Sequence, residues 1–316
     1  MENYEHREAN MMQQLLNTLV ERNKRWTKEG KVATYIPELG KGDPSVLGIS
    51  IIDLNGNLYN AGDYKYKFTL QSITKVVTLM LALIENGKEK VFQYVGMEPT
   101  GDPFNSIIKL ETIKPSKPLN PMINAGAITT VSLISGESPE ERLHKILTLI
   151  HKMTGNYGIT YNEKVFQSEY QTGDLNKALA YFLRTHNVIT GDIEEHLEVY
   201  FKQSSIEVTT EDVAKIGAVI ANDGKDIYNN QEIIPYEVVR IAKTFMVTCG
   251  MYNASGEFAI NVGIPAKSGV GGGILATVPR RFGIGVVGPA LDEKGNSIGG
   301  VKLLEDLSQK LDLSIF

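Results

Sequence analysis

Ser72-Ile73-Thr74-Lys75-Val76-Val77-Thr78-Leu79-Met80-Leu81-Ala82-Leu83-Ile84-Glu85-Asn86-Gly87 is the stretch whose reading decides the fold. Positions 76–84 are apolar except for Thr78, and Asn86-Gly87 is a C-terminal stop, so residues 72–85 read as a long core helix. The apolar run is less than half of the roughly 20 residues that a bilayer-spanning helix needs. On a helix, the S-x-x-K spacing of Ser72 and Lys75 places the amine one turn above the hydroxyl on the same face. The pattern alone is weak, because Ser106-Ile107-Ile108-Lys109 repeats it. Ser72 differs in its setting, since it opens a helix whose free N–H groups and positive dipole end favour a developing oxyanion. The structural alternative is an ordinary N-cap serine.

Upstream, residues 46–53 and 57–61 flank Leu54-Asn55-Gly56 and predict a β-hairpin. An N-terminal helix is predicted at 10–26. Downstream the chain reads as helical. Ser138-Pro139-Glu140-Glu141 is a helix start with proline at its first position. Thr209 and Thr210 start another helix that Asn222-Asp223-Gly224 ends, and Pro235 starts a third that stops near Gly250. Strand signals return at 258–264, 273–278 and 282–287, and a last helix is predicted at 299–311. Strands at both ends and helices between them predict an α/β (α+β) fold with one mostly antiparallel sheet flanked by helices. The predicted division is a sheet domain of residues 27–87 and 236–316, with the N-terminal helix 1–26, and an inserted all-helical subdomain of residues 88–235. The active site is expected between them.

Lys267-Ser268-Gly269 lies on a predicted strand edge and supplies the K-[ST]-G partner of S-x-x-K in serine acyl hydrolases. Two lysines near one serine have a physical use. A lysine base must be neutral, which near pH 7 requires its pKa to be depressed from about 10.4 by burial or a neighbouring cation. Lys267 is a candidate for that cation, with Lys75 as base.

Other signals are excluded. Gly283-Ile284-Gly285-Val286-Val287-Gly288 matches the dinucleotide fingerprint, but Pro289 follows where a helix should begin. One cysteine, Cys249, and five scattered histidines give no metal site and no disulfide. No cofactor is expected. Of the 316 residues, 42% are hydrophobic and 22% charged, enough for a large core. A net charge of −5 offers no footprint for nucleic acid. No segment reads as a membrane span or signal peptide, so a cytoplasmic protein is expected.

Several ordered blocks carry a family resemblance: Gly30-Lys31-Val32-Ala33-Thr34-Tyr35-Ile36-Pro37, Gln71-Ser72 with Lys75, Gly96-Met97-Glu98-Pro99, Asn120-Pro121-Met122-Ile123-Asn124-Ala125-Gly126-Ala127, Ser168-Glu169, and Gly263-Ile264-Pro265-Ala266-Lys267-Ser268-Gly269-Val270. Across about residues 24–311 the chain resembles the serine-dependent glutaminases, which share the β-lactamase and penicillin-binding-protein fold.

The resemblance implies that Ser72 is the nucleophile, Lys75 its base, and Tyr252 the relay of a proton to the leaving ammonia, with Lys267 in the catalytic set. It implies an oxyanion hole from the N–H groups of Ser72 and Val270. L-Glutamine would be held by Glu169 at its ammonium, by Tyr35, Asn124 and Asn176 at its carboxylate, and by Tyr200, Tyr252 and Val270 around it. Hydrolysis would pass through a γ-glutamyl ester, with water as the second substrate, in a homo-oligomer, dimer or tetramer. Leu175 and Lys177 depart from the arginines of many relatives, and Thr100 stands where serine is usual. The competing readings are a β-lactamase or penicillin-binding type of hydrolase and a non-catalytic glutamine-binding protein.

Overall fold

The computed structural model describes residues 2–112 and 114–316, with side chains from residue 9 onward. Its sheet is built from both ends of the chain. β1 (Gly48–Asp53) and β2 (Leu58–Gly62) form the early hairpin, and Asp53 fixes its turn by accepting from the N–H groups of Asn55 and Asn57, both at 2.9 Å. β3 (Phe68–Thr69) and β4 (Glu207–Val208) form a separate two-stranded pair. β5 (Ala266–Ser268), β6 (Gly273–Val278) and β7 (Phe282–Val287) complete a five-stranded sheet of order β2-β1-β7-β6-β5, every pair antiparallel.

Both faces of this sheet are covered. Helices Glu2–Asn23 and Ile298–Leu311 pack together on one face, over a core that includes Leu47, Ile49, Ile274, Ile284, Leu303 and Leu307. On the other face, helix Thr210–Ala221 lies against β7, β6 and β1. The glycines of the apparent dinucleotide fingerprint explain how closely it lies. A Cβ at Gly283 would sit 2.0 Å from the Ala214 carbonyl oxygen, and one at Gly285 would sit 2.1 Å from that of Thr210. These glycines are strand positions stripped of side chains so that a helix can rest on the backbone.

The remaining helices form a second layer around the long helix Thr74–Asn86, and their buried side chains merge into the larger of the two main cores. Local rules set their ends. Ser138 caps Pro139–Thr154 by accepting from the Glu141 N–H at 3.2 Å, and left-handed Gly155 closes it. Thr209 and Asp212 bond reciprocally at the start of Thr210–Ala221.

Three expectations need correction. The segment 258–264 is not a strand: helix Ser255–Asn261 occupies most of it, with Phe258 buried and Ile260 86% exposed. Its period-two apolar pattern is therefore coincidental. The N-terminal helix ends at Asn23, and a 3₁₀ segment, Lys24–Glu29, takes over before the predicted boundary. Finally, the long helix does not begin at Ser72. A 3₁₀ turn, Gln71–Ile73, precedes the α-helix at Thr74. Among the described residues no helix is long and apolar enough to cross a membrane.

Candidate active site

The 3₁₀ turn sets the position of Ser72. Lys75 follows three residues later, in the first turn of the α-helix that starts at Thr74. Gln71 enters the turn with a left-handed backbone (φ 49°), and its side chain donates to Thr69 Oγ1 at 3.0 Å. Non-glycine residues in that region cost free energy and persist where surrounding structure holds them. Here the end of β5 does so: a Cβ on Gly269 would lie 2.5 Å from the Leu70 carbonyl oxygen and 3.4 Å from the Ser72 nitrogen. The strand carrying Lys267 thus lies flush against the turn carrying Ser72.

Lys75 is buried and donates to Asn124 Oδ1 at 2.7 Å and to the Met122 carbonyl at 3.3 Å. Burial pulls its pKa down to about 7, against the opposing pull of the Glu169 carboxylate. Lys267 is fully buried and donates to the carbonyls of Gly250 (3.1 Å) and Ser268 (2.8 Å), with its amine 4.3 Å from the Tyr252 ring centroid. Burial first, and Lys75 second, hold its pKa well below the usual lysine range. Desolvation thus leads at both amines, and it disfavours the charged form of Lys267 as it does that of Lys75.

A small cleft opens above the turn. Tyr35, Ser72, Asn124, Glu169, Asn176, Tyr200 and Val270 all line it, so seven of the anticipated side chains converge on one space. Gln71, Phe104, Asn105 and Ser204 line it too. Of these, Gln71 is the one whose role the motif reading passed over.

Three helices supply the far wall. Glu169 sits on Glu163–Thr172, which Asn162 caps; Asn176 is on Asp174–Thr185; Tyr200 is on Ile193–Ser204, which Asp192 caps. Asn124, at the start of helix Asn124–Ser132, donates to Asn176 Oδ1 at 2.9 Å while accepting from Lys75. This chain of contacts runs directly from the lysine to the helical wall. Glu169 is only 6% exposed, and burial raises its pKa to about 8 against the opposing influence of the Gln71 amide and of Lys75. Its Oε2 has no hydrogen-bond partner among the described residues.

Three tyrosines enclose the cleft. Tyr200 is buried, and burial with the nearby Glu169 lifts its pKa well above the usual value. Tyr35 is 55% exposed as a residue, yet its hydroxyl lies where burial, Tyr252 and Glu169 raise its pKa in the same way. Tyr252 begins a short 3₁₀ turn with a left-handed backbone (φ 54°) and stacks on Phe104 with ring centroids 4.6 Å apart. Burial pushes it up to about 12, opposed by the hydroxyls of Ser72 and Ser268 beside it. Leu175 lines the cleft mouth, whereas Lys177 points to Asp174 (3.7 Å) and the Tyr170 ring. Among the described residues no group of three or more His, Cys, Asp or Glu side chains has the disposition to hold a metal ion.

A serine on a 3₁₀ turn that leads into the helix bearing a buried lysine, a second lysine on the adjoining edge strand and a helical wall across the cleft make this a hydrolase of the β-lactamase-like fold. A family model described as Glutaminase matches residues 30–316, and the chain belongs to the glutaminase family.

A glutaminase of Clostridium botulinum is 57% identical over 305 residues, covering 96% of this chain and all of the relative. Glutaminase 2 of Clostridium perfringens is 55% identical with the same coverage. Among solved structures, a Bacillus glutaminase crystallised in 4.3 M NaCl superposes with a TM-score of 0.89 at 44% identity, covering 95% of this chain and 98% of that one. A Bacillus subtilis glutaminase in covalent complex with 5-oxo-L-norleucine, formed from 6-diazo-5-oxo-L-norleucine, superposes at 0.87 and 41% identity, covering 96% and 99%.

Proposed function

We propose that the chain hydrolyses L-glutamine to L-glutamate and ammonia through a γ-glutamyl ester on Ser72. The observation that supports this most is Lys75 itself, three residues after Ser72 in the first turn of the long helix, buried, with a pKa of about 7 and two acceptors at its amine. A neutral amine has two N–H bonds. With Asn124 Oδ1 and the Met122 carbonyl taking both, its lone pair is left for the Ser72 proton.

Ser72 Oγ then attacks the δ-carbon of the side-chain amide. The carbonyl π pair moves to oxygen, which the N–H groups of Ser72 and Val270 stabilise. On collapse the C–N bond breaks, its electron pair goes to nitrogen, and a proton passed through Tyr252 releases NH₃. Water adds to the ester and returns the proton and the free Ser72 hydroxyl.

Recognition falls to the helical wall. The unpartnered Oε2 of Glu169 in a desolvated site suits the substrate ammonium, and Tyr35, Asn124 and Asn176 are neutral donors for its carboxylate. This follows the family carry-over and the convergence of these side chains on one cleft. The homologous glutaminase trapped as a 5-oxo-L-norleucine adduct supports a covalent route. We propose the sheet and helical units as divided from the sequence, with helix Thr210–Ala221 assigned to the sheet side because it packs there. A homo-oligomeric, cytoplasmic enzyme remains part of this reading.

The test is ammonia release from L-glutamine, D-glutamine and L-asparagine, with Ser72→Ala as blank and hydroxylamine added to a parallel reaction. L-Glutamine turnover with diversion to γ-glutamyl hydroxamate is expected. Binding without ammonia release would instead select a non-catalytic glutamine-binding protein.

A further inference from the structure

The turn Asp292-Glu293-Lys294-Gly295-Asn296 lies outside the sheet and supplies none of the reacting groups, yet it is closed by its own hydrogen bonds and packs beside Tyr252. Asp292 closes it on itself: its Oδ1 accepts from the N–H groups of Lys294 and Asn296, both at 2.9 Å, and its own N–H donates to the Asn296 carbonyl at 2.8 Å. Bridges from Leu291 to Ser297 and to Lys31 fix its base.

Its inner side faces the reaction centre. A Cβ at Gly295 (φ 93°) would lie 3.4 Å from Tyr252 Cε2, 3.4 Å from Val270 Cγ1 and 3.7 Å from Phe104 Cε1, so the glycine backbone is seated on all three side chains. Asn296, 2% exposed, donates from Nδ2 to the Met251 carbonyl at 3.2 Å, one residue before Tyr252. Tyr252 and Val270 need such support. They belong to neither main core: with Ala33 and Leu291 they form a small apolar cluster of their own, rimmed by Leu39 and Phe104.

We propose that Gly295 and Asn296 are positioning residues that hold Tyr252, in its left-handed conformation, at the leaving-group side of Ser72. Asn296 tethers the backbone entering Tyr252, and Gly295 braces its ring against Phe104 and Val270. A side chain at Gly295 would be strained by the positive φ, and relief of that strain would move the backbone that touches the tyrosine ring. The proposal rests on the reading of Tyr252 as the proton relay, and its test carries one readout that does not depend on that reading.

A double-mutant cycle supplies the first readout. Asn296→Ala is expected to lower kcat by about 10- to 100-fold with KM for L-glutamine within about twofold, the size of effect that a small misplacement of a reacting group produces. In a Tyr252→Phe background the same change should cost almost nothing further. Glu293→Ala, at an exposed position of the same turn, should leave activity unchanged.

The second readout is the ring carbon resonance of Tyr252 in protein labelled at tyrosine, assigned by its disappearance in Tyr252→Phe. It should shift in Asn296→Ala while most other tyrosine resonances stay in place. Gly295→Ala enters both experiments if Asn296→Ala fails to fold. An equal loss of kcat in both backgrounds, or a Tyr252 resonance that does not move, overturns the proposal. A wild-type protein without glutaminase activity, but with the resonance shifting as described, would instead refute the functional reading alone.

Discussion

The two walls of the cleft are built by different means. On the sheet side, Ser72, Lys267 and Tyr252 are placed by backbone: a 3₁₀ turn, an edge strand flush against it, and a left-handed residue, with the Lys267 amine bound to two main-chain carbonyls. On the helical side, Glu169, Asn176 and Tyr200 project from three separate helices and meet through side chains, as in the relay from Lys75 through Asn124 to Asn176. Backbone fixes the side chains proposed to react. Side chains give the recognition wall its selectivity, because a ligand group that fails to match leaves a buried polar atom unpaired. Chemistry and selectivity are therefore expected to separate under mutation.

The largest expected effect is on the sheet side. Ser72→Ala removes the proposed nucleophile, and kcat should fall by at least about 10³-fold while glutamine still binds, which calorimetry on the variant would show. Lys75→Arg tests the base in the same assay, since a guanidinium stays charged. An unaltered rate would remove Lys75 from that role.

On the helical wall, Glu169→Gln keeps the shape but loses the anion. It should raise KM for L-glutamine by about 10- to 100-fold with a smaller change in kcat, as expected for loss of one charge-assisted contact. A collapse of kcat at unchanged KM would erase the distinction between the walls.

A pH profile sharpens the comparison, because one titrating group stands on each side. Lys75, depressed to about 7, becomes a competent base as pH rises through that value, and Glu169, raised to about 8, becomes anionic as pH rises through its own. The value of kcat/KM should therefore climb between about pH 6 and 9. Glu169→Gln should leave only the lower step.

Stability runs in opposite senses for the two groups. The folded state holds the Glu169 proton at pH values where the unfolded chain has lost it, so this group's contribution falls as pH rises from about 4 to 8. For Lys75 the unfolded chain holds the extra proton, and stability rises with pH from about 7 to 10. Thermal melts of wild type and Glu169→Gln across pH 5–8 should lie closest at the acid end and separate towards the alkaline end, with wild type losing stability relative to the variant.

The smallest expected effect lies behind the site. Gly283→Ala places a methyl 2.0 Å from the Ala214 carbonyl oxygen and must push helix Thr210–Ala221 off the sheet. A loss of about 1–3 kcal/mol is expected from calorimetric melting, with KM little changed at low temperature.

Much of this architecture could be read from the chain because its signals are local. The turn at Asn55-Gly56, the Ser138 and Thr209 helix starts, and the glycine stops each depend on a few neighbouring residues. What escaped depends on contacts distant in sequence. The pairing of Phe68–Thr69 with Glu207–Val208 joins segments some 140 positions apart and carries only two residues per strand, too few for any alternation to register. Residues 258–264 alternate like a strand, but helix Ser255–Asn261 wins, and the pattern is spent on an exposed Ile260.

At the site, S-x-x-K and K-S-G carried their own spacing, whereas Tyr35, Glu169, Asn176 and Tyr200 became candidates only through family resemblance. No periodicity marks a residue whose partner lies on another helix. Gln71 illustrates what remained hidden: its left-handed backbone sits where the chain after β5 presses on the turn, which nothing in Leu70-Gln71-Ser72 announces.

The most direct test of the account is peptide mapping of the protein after reaction with 6-diazo-5-oxo-L-norleucine. A single 5-oxo-norleucyl adduct on the peptide containing Ser72, slowed by L-glutamine and absent in Ser72→Ala, is the predicted result. An active enzyme that gives no adduct, or one modified at another residue, would contradict it.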